Sequence, residues 1–121
     1  MTTTSTGPGV LLRVEGLALL AASVAAYWAM DGGWGTFALF FLMPDLALFG
    51  YFAGARVGAA TYNLSHTSTF PLLLIVAAVA GPARVAALAG LIWLAHIGFD
   101  RVLGFGLKYP SGFKDTHLSR L

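Results

Sequence analysis

Two histidines and two aspartates fall inside apolar stretches of the chain, where an ionisable side chain is costly. Asp45 lies in "LFFLMPDLALFG", His66 follows "TYNLS", and His96 and Asp100 share "WLAHIGFDR". Imidazole nitrogens and carboxylate oxygens are donors that bind zinc, manganese or iron. Because the chain has no cysteine, nitrogen and oxygen are the donors it offers to such a metal. The residue types therefore indicate a metal centre, provided that the fold brings them together.

The composition is typical of a membrane protein. Of the 121 residues, 58% are hydrophobic and only 10% are charged, and the mean hydropathy is +0.79. Soluble domains carry about 25% charged residues. The net charge of +2 is too small for a nucleic-acid-binding surface, so we expect membrane lipids and no nucleic acid as partners.

Four apolar segments are long enough to cross a bilayer, which takes about 20 helical residues. They cover residues 11–30, 35–54, 57–80 and 83–105. The first also resembles a signal peptide, but Glu15 near its start favours a retained helix. Short connections make neighbouring helices antiparallel. We therefore expect an all-α fold, an antiparallel bundle of four transmembrane helices over residues 10–105, with a disordered tail at 1–9 and an interfacial tail at 106–121.

Basic residues predict the orientation of this bundle. Arg13, Arg56 and Lys108 lie on the side shared by the N-terminus, the second loop and the C-terminus. Cytoplasmic loops carry the excess of Lys and Arg. We therefore expect both termini in the cytoplasm and the protein in the cytoplasmic (inner) membrane.

The position of a residue in its helix then gives its depth in the bilayer, because each helical residue rises about 1.5 Å. Asp45, His66 and His96 each lie about nine residues from the cytoplasmic end of a helix, hence about 13–14 Å deep. Asp100 follows His96 by four residues and shares its helix face, and Glu15 falls near the depth of Asp100. Ionisable residues at such depth face the bundle interior. The sequence therefore predicts a polar column in the cytoplasmic half of the bundle.

The column suggests specific roles in a metal-dependent hydrolase or lipid-modifying enzyme with an amphipathic substrate. His66, His96 and Asp45 are the predicted metal ligands, and Asp100 is a fourth ligand or a catalytic general base. Asn63, one turn before His66, is predicted to orient a ligand or water. A coordinated water would be the nucleophile.

Further residues are assigned to the surroundings of this site. Arg101 and Lys108 are predicted to bind an anionic part of the substrate. The tail segment "KDTH", which contains Asp115 and His117, could fold beneath the site as a lid.

Three other interpretations stay open at this point. The polar residues could hold the bundle in register by hydrogen bonding alone, or relay protons or hold a cation without chemistry. Two histidines at equal depth could also ligate haem b. Because four short helices make a thin bundle, we further expect a homo-oligomer, most simply a dimer.

Several phrases of the chain resemble a small family of bacterial integral membrane proteins, domain of unknown function 4260. They are "LLRVEGLALL" (11–20), "MPDLALFGYFAGARVGAATYNLSHT" (43–67) and "WLAHIGFDRVLGFGLKYPSGFKDTHL" (93–118). Phe105 departs from the family, where tyrosine is common. The resemblance implies a bacterial membrane bundle but no reaction. The recurring family phrases fall here on Pro44, Asp45, Tyr62, Asn63, His66, His96, Asp100, Arg101, Lys108, Tyr109, Thr116 and His117.

Overall fold

The computed structural model describes residues 7–81, 83–110, 114 and 116–119, and these contain helices and no strand. Four helical stretches are long and apolar enough to cross a membrane. We call them spans 1 to 4, and they cover Gly7–Ala29, Trp34–Ala53, Ala55–Val79 and Arg84–Leu103. The predicted all-α membrane protein with four apolar helices is confirmed, with boundaries that differ from the predicted ones by a few residues.

The two middle spans are each interrupted. Span 1 is helix α1 (Gly7–Ala29) and span 4 is helix α5 (Arg84–Leu103). Span 2 joins α2 (Trp34–Phe40) to a 3-10 helix (Met43–Ala53), and span 3 joins α3 (Ala55–His66) to α4 (Thr69–Val79).

Helix α1 begins at Gly7, inside the segment 1–9 that the sequence assigned to a disordered tail. Pro8 fits the first turn, where its missing N–H has no helical partner to lose. Residues 1–6 lie outside the described part of the chain.

Prolines account for the two interruptions. Pro44 lies in the first turn of the 3-10 helix, where it cannot donate a backbone hydrogen bond to the preceding turn. In span 3, Pro71 lies four residues after Thr67, whose backbone is extended (φ −85°, ψ 138°). The breaks place Asp45 and His66 beside helix ends in the middle of the apolar spans, where side chains can turn towards a neighbouring helix.

Helix α5 forms the centre of the bundle and packs against α1 along one side and α4 along another. Its contact with α1 is very close at Gly98. A Cβ atom added there would lie 2.7 Å from the carbonyl oxygen of Gly16 and 2.7 Å from the backbone nitrogen of Leu20. The 3-10 helix packs on α3. The middle of α5 contacts both of them, because His96 lies against Asp45 and His66.

Hydrogen bonds fix which ends of the spans lie together. Arg13 near the start of α1 donates from Nε to the Val102 carbonyl near the end of α5 (2.9 Å). At the opposite end, Arg84 donates to the carbonyl oxygens of Met30 and Asp31 in the first loop. The start of α1 and the end of α5 therefore share one end of the bundle. Their location in the cytoplasm stays a prediction.

The tail folds back beneath the same end. Lys108 and Thr116 form an isolated antiparallel bridge, and the Leu107 carbonyl accepts a hydrogen bond from the backbone N–H of His117 (2.9 Å). Leu118 is fully buried. The described part of the tail thus packs against the bundle, and its contact with a membrane surface stays a prediction.

Glu15 does not join the predicted polar column. Its side chain is exposed, whereas α1 buries Gly16, Ser23 and Tyr27 against the bundle. These buried positions recur at intervals of seven and four residues, which defines one helix face, and Glu15 lies off that face. Depth along the helix was insufficient to place this residue.

Candidate metal centre

The structure brings together four residues that the sequence singled out. Asp45 comes from the 3-10 helix, His66 ends α3, and His96 and Asp100 lie one turn apart on α5. One nitrogen or oxygen atom from each lies within 4.8 Å of the corresponding atom of every other. Three different spans therefore contribute donors to one point, which we call the His–Asp cluster.

The spacing within the His–Asp cluster is nearly uniform. The Nε2 atoms of His66 and His96 are 3.1 Å apart. Each Nε2 is also 3.2 Å from Oδ1 of Asp45 and 3.2 Å from Oδ2 of Asp100. These are five of the six edges of a tetrahedron, and the sixth, between the two carboxylate oxygens, is at most 4.8 Å. The centre then lies about 2.0–2.4 Å from each corner, a range that includes Zn–N and Zn–O bond lengths. The atoms are thus spaced as ligands around a small divalent ion.

Hydrogen bonding alone accounts poorly for five such contacts. An ionised carboxylate carries no hydrogen and each Nε2 carries at most one. Nδ1 of His66 donates to the Tyr62 carbonyl oxygen (2.9 Å). In the neutral ring Nε2 then holds the lone pair, which faces the cluster. Converging lone pairs and carboxylates repel one another unless a cation lies between them.

His96 presents the same nitrogen to the cluster. Its Nδ1 is buried and makes no hydrogen bond of normal geometry with the described residues. The ring packs edge-on against Phe41, with 5.3 Å between the centroids. Its orientation is therefore set largely by packing.

Access to the His–Asp cluster is one-sided. His66, His96 and Asp100 are 0%, 1% and 8% exposed, whereas the side chain of Asp45 is 40% exposed. A ligand of the centre must approach past Asp45.

A cleft of about 760 Å³ runs between α2 and α5 towards this site. It is lined mainly by apolar side chains and reaches Pro44 and Ser65, the neighbours of the donors Asp45 and His66. An apolar chain could lie beside the centre in this cleft.

Asn63 attaches the tail to the site. Its Nδ2 donates to the Lys108 carbonyl (2.7 Å), and its Oδ1 accepts from the Lys108 backbone N–H (2.6 Å). Both polar atoms of this side chain are thus used by the backbone of one residue. The predicted role of Asn63 in orienting a ligand or water stays a prediction.

Lys108 and Tyr62 form a stack on His66. The Tyr62 ring lies parallel to the His66 ring at 3.7 Å, and Nζ of Lys108 lies 4.4 Å from the centroid of the Tyr62 ring. Burial lowers the pKa of Lys108, and the negative charges of Asp100 and Asp45 oppose this shift. The predicted anion-binding residue Lys108 therefore lies close to the centre, and its binding of an anion stays a prediction.

The guanidinium of Arg101 hydrogen-bonds to two backbone carbonyls. It donates from Nη2 to the His66 carbonyl (2.8 Å) and from Nη1 to the Phe105 carbonyl (2.9 Å). Carbonyls at helix ends lack backbone partners, so Arg101 caps α3 at a metal-ligand candidate. This contact joins span 4 to span 3, and no pattern in the sequence predicts it. Anion binding by Arg101 stays a prediction.

The predicted lid lies partly outside the described residues. Asp115 is among the residues that the structure does not describe. His117 is described, and its Nδ1 accepts a hydrogen bond from the Leu107 backbone N–H (2.8 Å). His117 therefore holds the tail fold, and the lid function stays a prediction.

Sequence reasoning missed Ser65 and Tyr62 as partners of His66. Ser65 Oγ lies 2.7 Å from Nδ1 of His66, and Tyr62 supplies the carbonyl and the stacked ring. For Tyr62 the signal was its spacing, because residues four positions apart are neighbours on one helix face. Adjacent residues do not share a face, so the Ser65 contact had no such signal.

The tail is expected to loosen in acid. Burial, and then the Arg101 charge, lower the pKa of His117 from the usual 6.5. The stability that its neutral ring contributes is complete above about pH 6.5 and is lost as the pH falls through the lowered pKa. A spin label on Lys114→Cys, unique because the chain lacks cysteine, should become more mobile below that pH. The variant His117→Asn accepts the same hydrogen bond without titrating, so an equal pH dependence in that variant would contradict this assignment.

Asn63→Ala should detach the tail at neutral pH. It removes two hydrogen bonds to Lys108, each contributing about 1 kcal/mol. The Lys114→Cys spin label should then show a dominant mobile component. Thr67→Ala is the control, because the hydroxyl of Thr67 hydrogen-bonds to Thr69 and not to the tail within the described residues, and it should leave the spectrum unchanged.

The spacing of His66 and His96 is shorter than haem b ligation by both histidines requires. Two axial nitrogens lie on opposite faces of the porphyrin, about 4 Å apart at usual metal–nitrogen distances. The Nε2 atoms are 3.1 Å apart, and two carboxylates lie in the same cluster. The haem alternative stays an untested prediction, and the metal centre fits these distances better.

Comparison with protein families gives one match. Residues 9–121 match the family model described as Domain of unknown function (DUF4260). Comparison with curated proteins and with solved structures gives no match. The match extends over all four spans and the tail, so the whole site lies inside the family domain.

Proposed function

Since the chain belongs to the family described as Domain of unknown function (DUF4260), we propose its function from the site: a divalent metal centre within the membrane that hydrolyses an amphipathic substrate. The observation that carries this proposal is the set of five contacts of 3.1–3.2 Å among two Nε2 atoms and two carboxylate oxygens. A cation accounts for all five contacts at once.

The donor set favours zinc, manganese or iron. Imidazole and carboxylate ligands suit these ions, and the two carboxylates would neutralise the charge of a divalent ion at apolar depth. When bound, such an ion would polarise a substrate oxygen and activate water at neutral pH. His66, His96 and Asp100 would hold the ion on the buried side. Because four protein ligands would close a tetrahedral site, the exposed Asp45 would be the ligand that gives up its position to water or substrate.

The surroundings support a substrate with an apolar part. The cleft between α2 and α5 ends at Pro44 and Ser65, and Phe40, Leu88 and Ile92 are among its apolar lining. An apolar chain could lie there while a polar group approaches Asp45. Lipid-like esters and phosphoesters have this combination of parts.

Metal content tests the proposal directly. Protein purified in mild detergent should contain about one zinc, manganese or iron ion per chain. The double variant His66→Ala/His96→Ala should contain none, because it loses both nitrogen ligands. Folded, metal-free protein recovered from metal-supplemented cells would overturn the metal centre.

Hydrolysis is tested separately on nitrophenyl esters and phosphates of increasing chain length. Activity should increase with chain length, disappear with a chelator and return with the metal. Stoichiometric metal without hydrolysis of any substrate would instead favour a protein that binds or transports a cation.

We also propose a homodimer in the cytoplasmic membrane with both termini in the cytoplasm. The exposed Glu15 on α1 supports the dimer, because a carboxylate facing lipid is costly and a second copy could shield it. Multi-angle light scattering in detergent should give twice the chain mass, and a monomer would contradict the dimer.

A further inference from the structure

The two ends of the cleft between α2 and α5 differ in their chemistry, and this difference does not depend on the His–Asp cluster. Arg84 lies at one end, and Trp93 and Ser65 lie at the other. Between them the wall is formed mainly by apolar side chains, including Leu88 and Ile92. The cleft is thus an apolar channel with a cation at one end.

The length of the cleft fits one leaflet of a bilayer. Arg84 is the first residue of α5 and Trp93 lies nine residues further on. At 1.5 Å per residue these positions are about 13–14 Å apart along the helix axis, and half of a bilayer core is about 15 Å. Arg84 therefore lies at headgroup level and Trp93 near the ends of the lipid chains.

The cleft is open to its surroundings along its side. Val85 and Phe40, which line it, are 79% and 42% exposed. An apolar surface that opens sideways at this depth is accessible to lipid chains, which are the solvent there.

The charge at the headgroup end selects among lipids. The side chain of Arg84 donates from Nη2 to the Met30 and Asp31 carbonyls, which fixes the guanidinium at the end of the cleft. Arg84 forms no ion pair with the described residues, so no carboxylate of the described chain neutralises its guanidinium. A guanidinium pairs well with phosphate oxygens.

We propose that this cleft is a binding site for an anionic phospholipid, whose phosphate lies at Arg84 and whose chain extends inward to Trp93. A lipid in this orientation would direct the end of its chain, and not its headgroup, towards the His–Asp cluster, so it would compete with a substrate chain for the cleft and would not itself be the substrate of the metal centre. A single basic residue at headgroup level should favour an anionic over a zwitterionic lipid by about fivefold.

Quenching of Trp93 by brominated lipid chains tests the site. The chain has three tryptophans, so Trp28→Phe/Trp34→Phe leaves Trp93 as the reporter. In nanodiscs, phosphatidylglycerol brominated in its chains should quench Trp93 at about one-fifth of the mole fraction that brominated phosphatidylcholine requires. Arg84→Gln should make the two lipids equal, and Arg84→Lys should restore the preference.

Arg56→Gln is the matched control, because Arg56 is an exposed basic residue near the start of α3 and does not line the cleft. It should leave the preference intact. Equal quenching by both lipids in the parent protein, or a preference that survives Arg84→Gln, would overturn the site. Absence of quenching would mean that protein, such as a second copy, fills the cleft, and would also overturn it. Metal content should be the same in all these variants, so this result is separate from that of the metal centre.

Discussion

Asp100→Asn is expected to lower the affinity for a divalent ion more than about 100-fold, since even partners of metal ligands contribute 10–100-fold. Asp100 is 8% exposed, and its Oδ2 lies 3.2 Å from both Nε2 atoms. Asparagine keeps the size of the side chain but removes its negative charge, and an amide oxygen is a weaker ligand for these ions. Isothermal titration calorimetry of metal-stripped protein with zinc or manganese measures this change in affinity.

Glu15→Gln is the control for that experiment. Glu15 is also a carboxylate within an apolar span, but it is exposed and lies outside the His–Asp cluster. Its substitution should leave the metal affinity unchanged. An equal loss of affinity in both variants would show that the total negative charge in the membrane, and not ligation by Asp100, governs binding.

Gly98→Ala is expected to destabilise the bundle by about 1–3 kcal/mol, the usual cost of overpacking. The added Cβ would lie 2.7 Å from the Gly16 carbonyl oxygen and 2.7 Å from the Leu20 backbone nitrogen. Both are backbone atoms, so no side-chain rotation relieves the clash, and α1 must move away from α5. The free energy of unfolding in mixed micelles with increasing SDS measures the effect.

Gly35→Ala provides the comparison. Gly35 lies in α2, and a Cβ there would meet no atom within 4 Å. Alanine also favours a helix over glycine by about 0.5–1 kcal/mol, so this variant should unfold at the same or a slightly higher SDS fraction. Unchanged stability in Gly98→Ala would mean that α1 and α5 are farther apart than the structure places them.

The four spans could be predicted from the sequence because the bilayer imposes a length and an apolar composition on each helix. The match was good for span 4, predicted at 83–105 and found at Arg84–Leu103. The interruptions were only partly foreseeable. Pro44 and Pro71 signalled a missing hydrogen bond, but the 3-10 conformation of Met43–Ala53 depends on packing against α3.

The candidate site, too, could be predicted from the sequence only in part. Its members Asp45, His66 and His96 were identified because ionisable residues at bilayer depth need partners. Glu15 met the same criterion and is nevertheless exposed, since depth specifies height along the bundle and leaves rotation about the helix axis open. Asn63 was placed on the same face as His66, yet its amide bonds the Lys108 backbone, which lies 45 residues away.

The sequence by itself determined that this chain has four helical stretches long and apolar enough to cross a membrane, with histidine and aspartate inside them. Residue type and the rise per helical residue determine these features without any contribution from the packing of one helix on another. The tertiary structure alone decided that the donors of three spans converge at 3.1–3.2 Å and that Arg101 and Asn63 hold the backbone around them. Those contacts depend on how each helix is rotated against its neighbours, and close packing at positions such as Gly16 and Gly98 sets that rotation for the whole bundle at once.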